Sequence, residues 1–298
     1  MTRKRPSPEC SGTIPLRLIT FNVRYATPSP VPGEELWSVR CPKLCAQLKF
    51  VTSGHPSAFI CLQEVLHSQL QDIEAHLGPS WGRIGCGRED GKQAGEFSPI
   101  FFRLDTWRCE RNRTYWLSTT PDVPSRGWDA ALERVVTTGL FRHRQFGTEA
   151  VVMATHLDHV GVAAREESAK LLLRLAGAWA DGGDADHQLP VLLGGDFNST
   201  PDDAAYQTLT APDSGMDDVS YLVPEEARYG NQEITYTSFG EPGEIPKRID
   251  FIFVRQSGGI KFSTFGILSN RFDDGVFLSD HRAVVTDMEL PAEANCTP

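Results

Sequence analysis

The sequence predicts an α/β fold on three observations. Short apolar, β-prone runs recur along the whole chain, stretches with helical spacing of leucine interrupt them, and long loops rich in Gly and Pro separate the two. Pattern alone leaves two architectures open, a doubly wound sheet and a sandwich.

Each element has its own signal. Leu16 to Asn22 reads as the first strand, followed by a Pro-rich loop from Pro28 to Gly33. Leu44, Leu48 and Val51 fall at helical spacing and predict a helix over Cys41 to Thr52. Ala58 to Leu62 is an apolar strand. Leu70, Ile73 and Leu77 share one side of a helix over His67 to Leu77, which Gly78-Pro79 ends. Ser98 to Arg103 and Thr106 to Arg113 look like a hairpin. Ser118 to Ala130, with two prolines and a glycine, is a loop. Arg134 to Phe141 and Glu149 to Thr155 are strands. Gly161 to Ala180, carrying Leu171, Leu172, Leu173, Leu175 and Ala178, is the clearest helix, with Gly182-Gly183-Asp184 as its terminator. Val191 to Gly194, Arg248 to Arg255, Gly259 to Leu268 and Arg282 to Leu290 complete the strands.

Six polar clusters sit at strand ends, where loops commonly carry function. Asn22 follows Leu18-Ile19-Thr20-Phe21. Gln63-Glu64 follows Ala58 to Leu62. His156-Leu157-Asp158-His159 follows Val151 to Thr155. Gly194-Gly195-Asp196-Phe197-Asn198 follows Val191-Leu192-Leu193. Arg248-Ile249-Asp250 opens Phe251 to Val254, and Ser279-Asp280-His281 follows Val276-Phe277-Leu278. Spread over the chain and rich in Asp, Glu, Asn and His, they predict one convergent site.

In this order the six motifs resemble the endonuclease/exonuclease/phosphatase superfamily of metal-dependent phosphoesterases, from Asn22 to His281. Tyr115-Trp116-Leu117-Ser118, the stretch Pro124 to Asp129, and His156 to Gly161 with Arg165 are similar to the small single-domain branch near the deadenylase-like members. The resemblance decides the architecture: an α/β, DNase I-like, four-layer sandwich of two packed mixed β-sheets flanked by helices, with the site across one edge.

The resemblance also implies roles. Glu64, directly after a buried strand where an unpaired carboxylate is costly, is the first metal ligand. Asn22 is a neutral oxygen donor to the same ion, and Asp280 completes the shell. The ion is Mg2+, with Mn2+ as the alternative, because such ions take oxygen ligands. Asp196 orients and activates the attacking water. Asn198 gives its amide to the phosphate or the metal. The Gly-Gly-Asp-Phe-Asn run is also a good tight turn, and its glycines let backbone approach a ligand closely. His281, held by Asp250, stabilises phosphoryl charge, and His156 contacts phosphoryl oxygens or assists the leaving group, both favoured in the protonated form beside a dianion. Asp158 shares a strand face with His156 and is a site candidate, His159 starts the next loop, and Arg165 braces it. For specificity, Arg24 reaches a second anionic group, Glu96 a substrate hydroxyl or the metal, and Trp116, Arg126 and Trp128 wall a ring. For Trp128, a loop anchor packed into the core is an equal alternative. Tyr236 and Phe239 border the pocket.

Composition sets the bounds. At 298 residues and 40% hydrophobic content, one catalytic domain over 13–298 behind a disordered tail, 1–12, accounts for the chain. The formal charge of -10 weighs against a generic binder of long nucleic acids, whose affinity rests on Lys and Arg. Seven scattered cysteines without a Cys-x-x-Cys pair suit reduced thiols in the cytoplasm. Asn198-Ser199-Thr200 fits the glycosylation pattern, but a sugar there would block the site. No run suits a signal peptide or a membrane span, and no partner protein is indicated. The leading expectation is therefore hydrolysis of a small or modest-sized phosphorylated molecule, as a phosphatase or phosphodiesterase. A 3′ exonuclease on RNA or single-stranded DNA stands second, and a metal-dependent enzyme on a non-phosphate substrate third. A vestigial binding protein would lack key residues, and all are present.

Overall fold

Alternating apolar runs of the chain fold into two sheets whose faces are both covered. The computed structural model describes residues 12–181, 188–230, 233–255 and 258–292. In chain order these form β1 (Thr13–Asn22), α1 (Trp37–Thr52), β2 (Phe59–Gln63), α2 (His67–Leu77), β3 (Trp81–Ile84), β4 (Ile100–Arg103), β5 (Trp107–Trp116), β6 (Val135–His143), β7 (Glu149–His156), α3 (Val162–Ala180), β8 (Val191–Asp196), α4 (Ala204–Leu209), β9 (Met216–Asp218), α5 (Val219–Leu222), β10 (Arg228–Tyr229), β11 (Asp250–Arg255), β12 (Lys261–Ile267) and β13 (Val284–Pro291). One sheet has the order β10-β12-β13-β1-β2-β4-β3 and the other β5-β6-β7-β8-β11-β9. Both are mixed: β1 with β2 and β7 with β8 run parallel, whereas β13 and β11 run antiparallel to them.

Three apolar cores separate four layers. Leu18, Phe59, Phe141, Val152, Leu192 and Ile252 are among those filling the space between the sheets. Leu171, Leu172 and Trp179 of α3 cover one outer face, and Leu44, Leu48, Leu70 and Ile73 of α1 and α2 the other. Burial on both faces explains why β2 reads as an uninterrupted apolar run rather than an alternating one.

Strand direction gathers the site. The C-terminal ends of β1, β2, β7 and β8 and the N-terminal ends of β11 and β13 lie on one edge. Register then sets Asp250 opposite Asp196, His156 beside Asp196, and Asn22 beside Gln63. Gly194 and Gly195 lie in β8, not in a turn. A Cβ on Gly194 would stand 3.1 Å from Thr20 Cβ, and one on Gly195 would stand 2.5 Å from the Thr155 carbonyl oxygen. Gly194 therefore permits close packing of the two sheets, and Gly195 close approach of the neighbouring strand β7, rather than approach of a ligand. Only Asn198 turns the chain, at φ 45°.

Several expectations change. The proposed hairpin does not form: β4 pairs with β2 and β3, and β5 pairs with β6 in the other sheet, so the short connection crosses between sheets. The strand β3 and the elements α4, β9, α5 and β10 lie in stretches that carried no strong periodicity. The helix α1 starts at Trp37, before Cys41, because tertiary contacts secure its first turn: buried Arg40 donates through Nη1 to the carbonyls of Val23 (2.8 Å) and Leu278 (2.9 Å). Val276-Phe277-Leu278 is an irregular segment, with one isolated bridge from Phe277 to Arg271, so Ser279-Asp280-His281 enters β13 rather than ending a strand. Apart from Gly12, the expected disordered tail lies outside the described residues, as does the Gly182-Gly183-Asp184 terminator.

Candidate active site

The edge of the sandwich carries a cleft of about 470 Å³ lined by Glu64, Glu96, His156, Asp196, Asn198, Asp280 and His281, with Arg24, Arg134, His159 and Lys247 among its other walls. At its floor, Asn22 joins the two sheets. Its Nδ2 donates to Glu64 Oε1 (3.0 Å) and to Asp196 Oδ2 (2.9 Å), while its Oδ1 accepts from the backbone N–H of Arg24 (2.9 Å). The amide nitrogen, not the oxygen, thus faces the carboxylates. Glu64 Oε2 accepts from the backbone N–H of Tyr25 at 3.1 Å. Arg24 and Glu64 hold φ values of 59° and 60°, a left-handed conformation that costs energy outside glycine and is found at functional sites.

Two imidazoles flank Asp196, in opposite charge states. His281 Nδ1 lies 2.8 Å from Asp250 Oδ2, and its Nε2 lies 3.6 Å from Asp196 Oδ2. Burial disfavours the imidazolium, but Asp250, Asp196 and Asp280 outweigh it and push His281 up to about 10. His156 Nε2 lies 3.0 Å from Asn198 Nδ2 and 3.4 Å from Asp196 Oδ2. Asn198 Nδ2 also donates to the Leu157 carbonyl (3.0 Å), which fixes the amide orientation and makes His156 Nε2 an acceptor. Burial, then Arg134 and Arg88, hold His156 well below its ordinary value. Without a bound dianion, these surroundings favour the cation at His281 and the neutral ring at His156.

The carboxylates also diverge. Burial and neighbouring Asp250 raise Asp196 to about 7, although His281 and donors from Asn198 and Asn22 oppose them. Burial and Glu64 raise Glu96 to about 7, against the pull of Arg88, which grips it through two hydrogen bonds of 2.7 and 3.0 Å. Burial opposes ionisation of Glu64, but Asn22, His281 and the Tyr25 N–H hold it below its ordinary value. Burial and the charge of Glu64 push Asp280 upward.

The donor set fits a hard divalent cation. Glu64 and Asp280 present carboxylate oxygens to one cleft and repel each other, a repulsion a cation relieves. No cysteine lines the cleft among the described residues.

Four sequence candidates lie elsewhere. Trp116 is buried and donates from Nε1 to the Arg88 carbonyl at 2.6 Å, so it secures the loop carrying Arg88 rather than walling the cleft. Arg126 is exposed beside Glu133, and Trp128, at φ 52° and partly exposed, does not line the cleft. Asp158 spends its carboxylate on the N–H groups of Ala131, Leu132, Val160 and Gly161 and on Arg134. The strand face it was expected to share with His156 ends at His156, where β7 stops. Arg165 braces the same loop, as expected, through a 3.1 Å hydrogen bond from Nη1 to the Asp158 carbonyl. Tyr236 borders the cleft, its ring edge-on to His281 with centroids 5.1 Å apart, while Phe239 is buried against Phe277.

The sequence reading missed Arg88, Arg134 and Lys247. Arg134 precedes β6, whose antiparallel pairing with β7 brings its N-terminal end to the site edge. It therefore carried the same strand-end signal as the others. Arg88 and Lys247 sit in irregular loops and carried none.

A model of the Endonuclease/Exonuclease/phosphatase family matches residues 19–281, so this chain belongs to that family, a family of phosphoester hydrolases. An endonuclease/exonuclease/phosphatase of Bacteroides vulgatus is 34% identical over 93% of this chain and 99% of its own, with a TM-score of 0.81. A mannosyl-6-phosphatase of Bacteroides thetaiotaomicron is 30% identical over 92% and 99%, with a TM-score of 0.79. A TDP2 of D. rerio, solved with a single-strand DNA product, shares the fold at 19% identity over 92% and 98%, TM-score 0.67. No curated protein matches the chain. No helix among the described residues is long and apolar enough to cross a membrane.

Proposed function

We propose that the chain is a Mg2+-dependent phosphatase, with Mn2+ as a substitute ion, that hydrolyses a small phosphorylated sugar or polyol. The observation that carries this reading is the cleft itself. It gathers the carboxylates and three imidazoles around about 470 Å³, a volume suited to a small molecule rather than a polymer track. The acidic balance of -10 supports the same choice, and so does the similarity to a mannosyl-6-phosphatase. Residues 13–298 act as one catalytic domain. The cysteines Cys41, Cys45, Cys61, Cys86 and Cys109 are unbridged, which suits a reducing, cytoplasmic setting.

Glu64 and Asp280 hold the metal, and Asn22 fixes the Glu64 carboxylate through its amide. A cation held there offsets charge on the phosphoryl oxygens. Asp196, with a pKa near the working pH, takes the proton of the attacking water. His281, kept cationic by Asp250, donates to a non-bridging phosphoryl oxygen as negative charge gathers. Asn198 holds Nε2 of neutral His156 as an acceptor, so the ring's unpartnered Nδ1–H is the donor available to the leaving oxygen, and solvent supplies the proton that completes the alcohol. Arg24 sits at the rim for a further anionic group.

The test is a comparison of hexose 6-phosphates, p-nitrophenyl phosphate, its bis-ester and a labelled single-stranded oligonucleotide, all with Mg2+. Preferred release of phosphate from a hexose phosphate supports the reading. Shortening of the oligonucleotide at a higher kcat/KM would replace it with the exonuclease alternative.

A further inference from the structure

One wall of the cleft is fixed far more rigidly than its loop character suggests. The Asp158 carboxylate ties 131–132 to 160–161 by four backbone hydrogen bonds of 2.8–3.2 Å. Asp129 ties the same strip to the start of α3, accepting from the N–H groups of Ala163 and Ala164. Held inside this knot is Arg134, whose side chain is only 5% exposed and whose Nε lies 3.4 Å from Asp158 Oδ2. Its Nη2 stands 2.9 Å from Nδ1 of His159, an exposed residue that lines the cleft.

That contact fixes a proton. An arginine guanidinium has only donors and stays protonated. His159 Nδ1 must therefore accept, and the neutral imidazole carries its hydrogen on Nε2. Nε2 makes no hydrogen bond to protein among the described residues. We infer that His159 is a specificity-determining residue whose Nε2–H reads an uncharged acceptor oxygen, a hydroxyl or ring ether, on the group that carries the phosphate. This rests on the phosphosugar reading of the same cleft.

The chemistry favours a hydroxyl over a second phosphate. Asp158 pairs with Arg134 at Nε and His159 takes Nη2, while the unpartnered Nη1 is buried, so the exposed group this wall offers is the neutral Nε2–H of His159. Because Asp158 and Arg134 lock the ring, little rotamer freedom is lost when an oxygen binds. Arg134 acts through His159 and is its positioning residue.

The experiment uses the full chain and two variants, His159→Ala and His159→Gln, the second retaining an N–H donor. kcat and KM are measured for a hexose 6-phosphate and for p-nitrophenyl phosphate, which has no hydroxyl to read. The preference for the hexose phosphate, as a ratio of kcat/KM values, should fall about three- to tenfold in His159→Ala, mostly through KM, and recover in part in His159→Gln. An unchanged ratio in His159→Ala would overturn the inference, as would a preference for a sugar bisphosphate that His159→Ala abolishes. A wild-type chain that ignores hexose phosphates but turns over p-nitrophenyl phosphate would overturn the substrate reading instead, and this one with it. Nitrogen-15 shifts of His159 near neutral pH, assigned with the variants, decide the donor separately. A protonated Nε2 supports it, and a protonated Nδ1 overturns it.

Discussion

Replacing Asp250 by Asn isolates the contribution of charge to the His281 pair. The substitution keeps size and an acceptor oxygen facing Nδ1 across 2.8 Å, in a site where both side chains are buried. It removes the largest of the three carboxylate influences that lift His281 to about 10. Losing that charge should lower the imidazolium pKa by about one to two pH units relative to wild type. The direction follows from the role: the donor form is protonated, so activity falls as pH rises through the pKa, and a lower pKa brings the alkaline fall earlier. At neutral pH the imidazole remains largely charged, and the expected loss is one of orientation, about 10–100-fold in kcat. Initial rates of phosphate release from pH 5 to 10, at saturating Mg2+, provide the assay. A variant with kcat within twofold of wild type and an unmoved alkaline limb would refute the argument and leave Asp250 as a structural carboxylate at a strand end.

Further outcomes follow from the same geometry. Glu64→Gln should weaken Mg2+ binding, read by calorimetry, and reduce turnover more than 100-fold, an order-of-magnitude expectation for losing a charged ligand; full activity at saturating Mg2+ would remove Glu64 from the metal site. Asp196→Asn should keep metal affinity within a few-fold while kcat drops about 10²–10⁴-fold, the range for loss of a general base, and a matching loss of metal affinity would argue that Asp196 is a ligand instead. Asp158→Asn tests the cleft wall through acid stability. Burial opposes ionisation of Asp158, but N–H groups of Gly161, Ala131 and Val160, with Arg134, hold its carboxyl at about 2. A depressed carboxylate stabilises above its ordinary value, and that stability disappears as pH falls from about 4 towards 2. Wild type should therefore exceed the variant by about 2 kcal/mol at pH 7, with the gap closing by pH 2; a pH-independent gap in denaturant unfolding would contradict this.

Much of this molecule was legible in its sequence because the site uses one repeated device. An apolar strand delivers a polar residue to a common edge, so Asn22, Glu64, His156, Asp196 and Asp250 stood out before their partners were known. The helix α2 was legible to the residue, since Leu70, Ile73 and Leu77 face a core and Gly78, at φ 86°, ends it. What failed depended on non-local contacts. Nothing in the spacing of β4 and β5 says that adjacent strands join different sheets. Trp116 looked like a substrate wall because aromatic side chains serve cores and ligands alike, and only its bond to the Arg88 carbonyl separates the two. Asp158 obeyed strand alternation on paper, but β7 ends at His156, and its carboxylate turns to backbone donors instead. The opposite shifts of His156 and His281 were beyond any motif, since burial lowers both rings and only His281 has Asp250 against it to reverse the effect.

The measurement that bears most directly on the account is hydrolysis of a hexose 6-phosphate in water enriched in oxygen-18, with Mg2+ and with excess chelator. Water activated by Asp196 should attack phosphorus, so the released phosphate should carry one heavy oxygen, the sugar none, and the chelated enzyme should release nothing. Heavy oxygen in the sugar, or undiminished release under chelation, would contradict metal-dependent attack at phosphorus in this cleft.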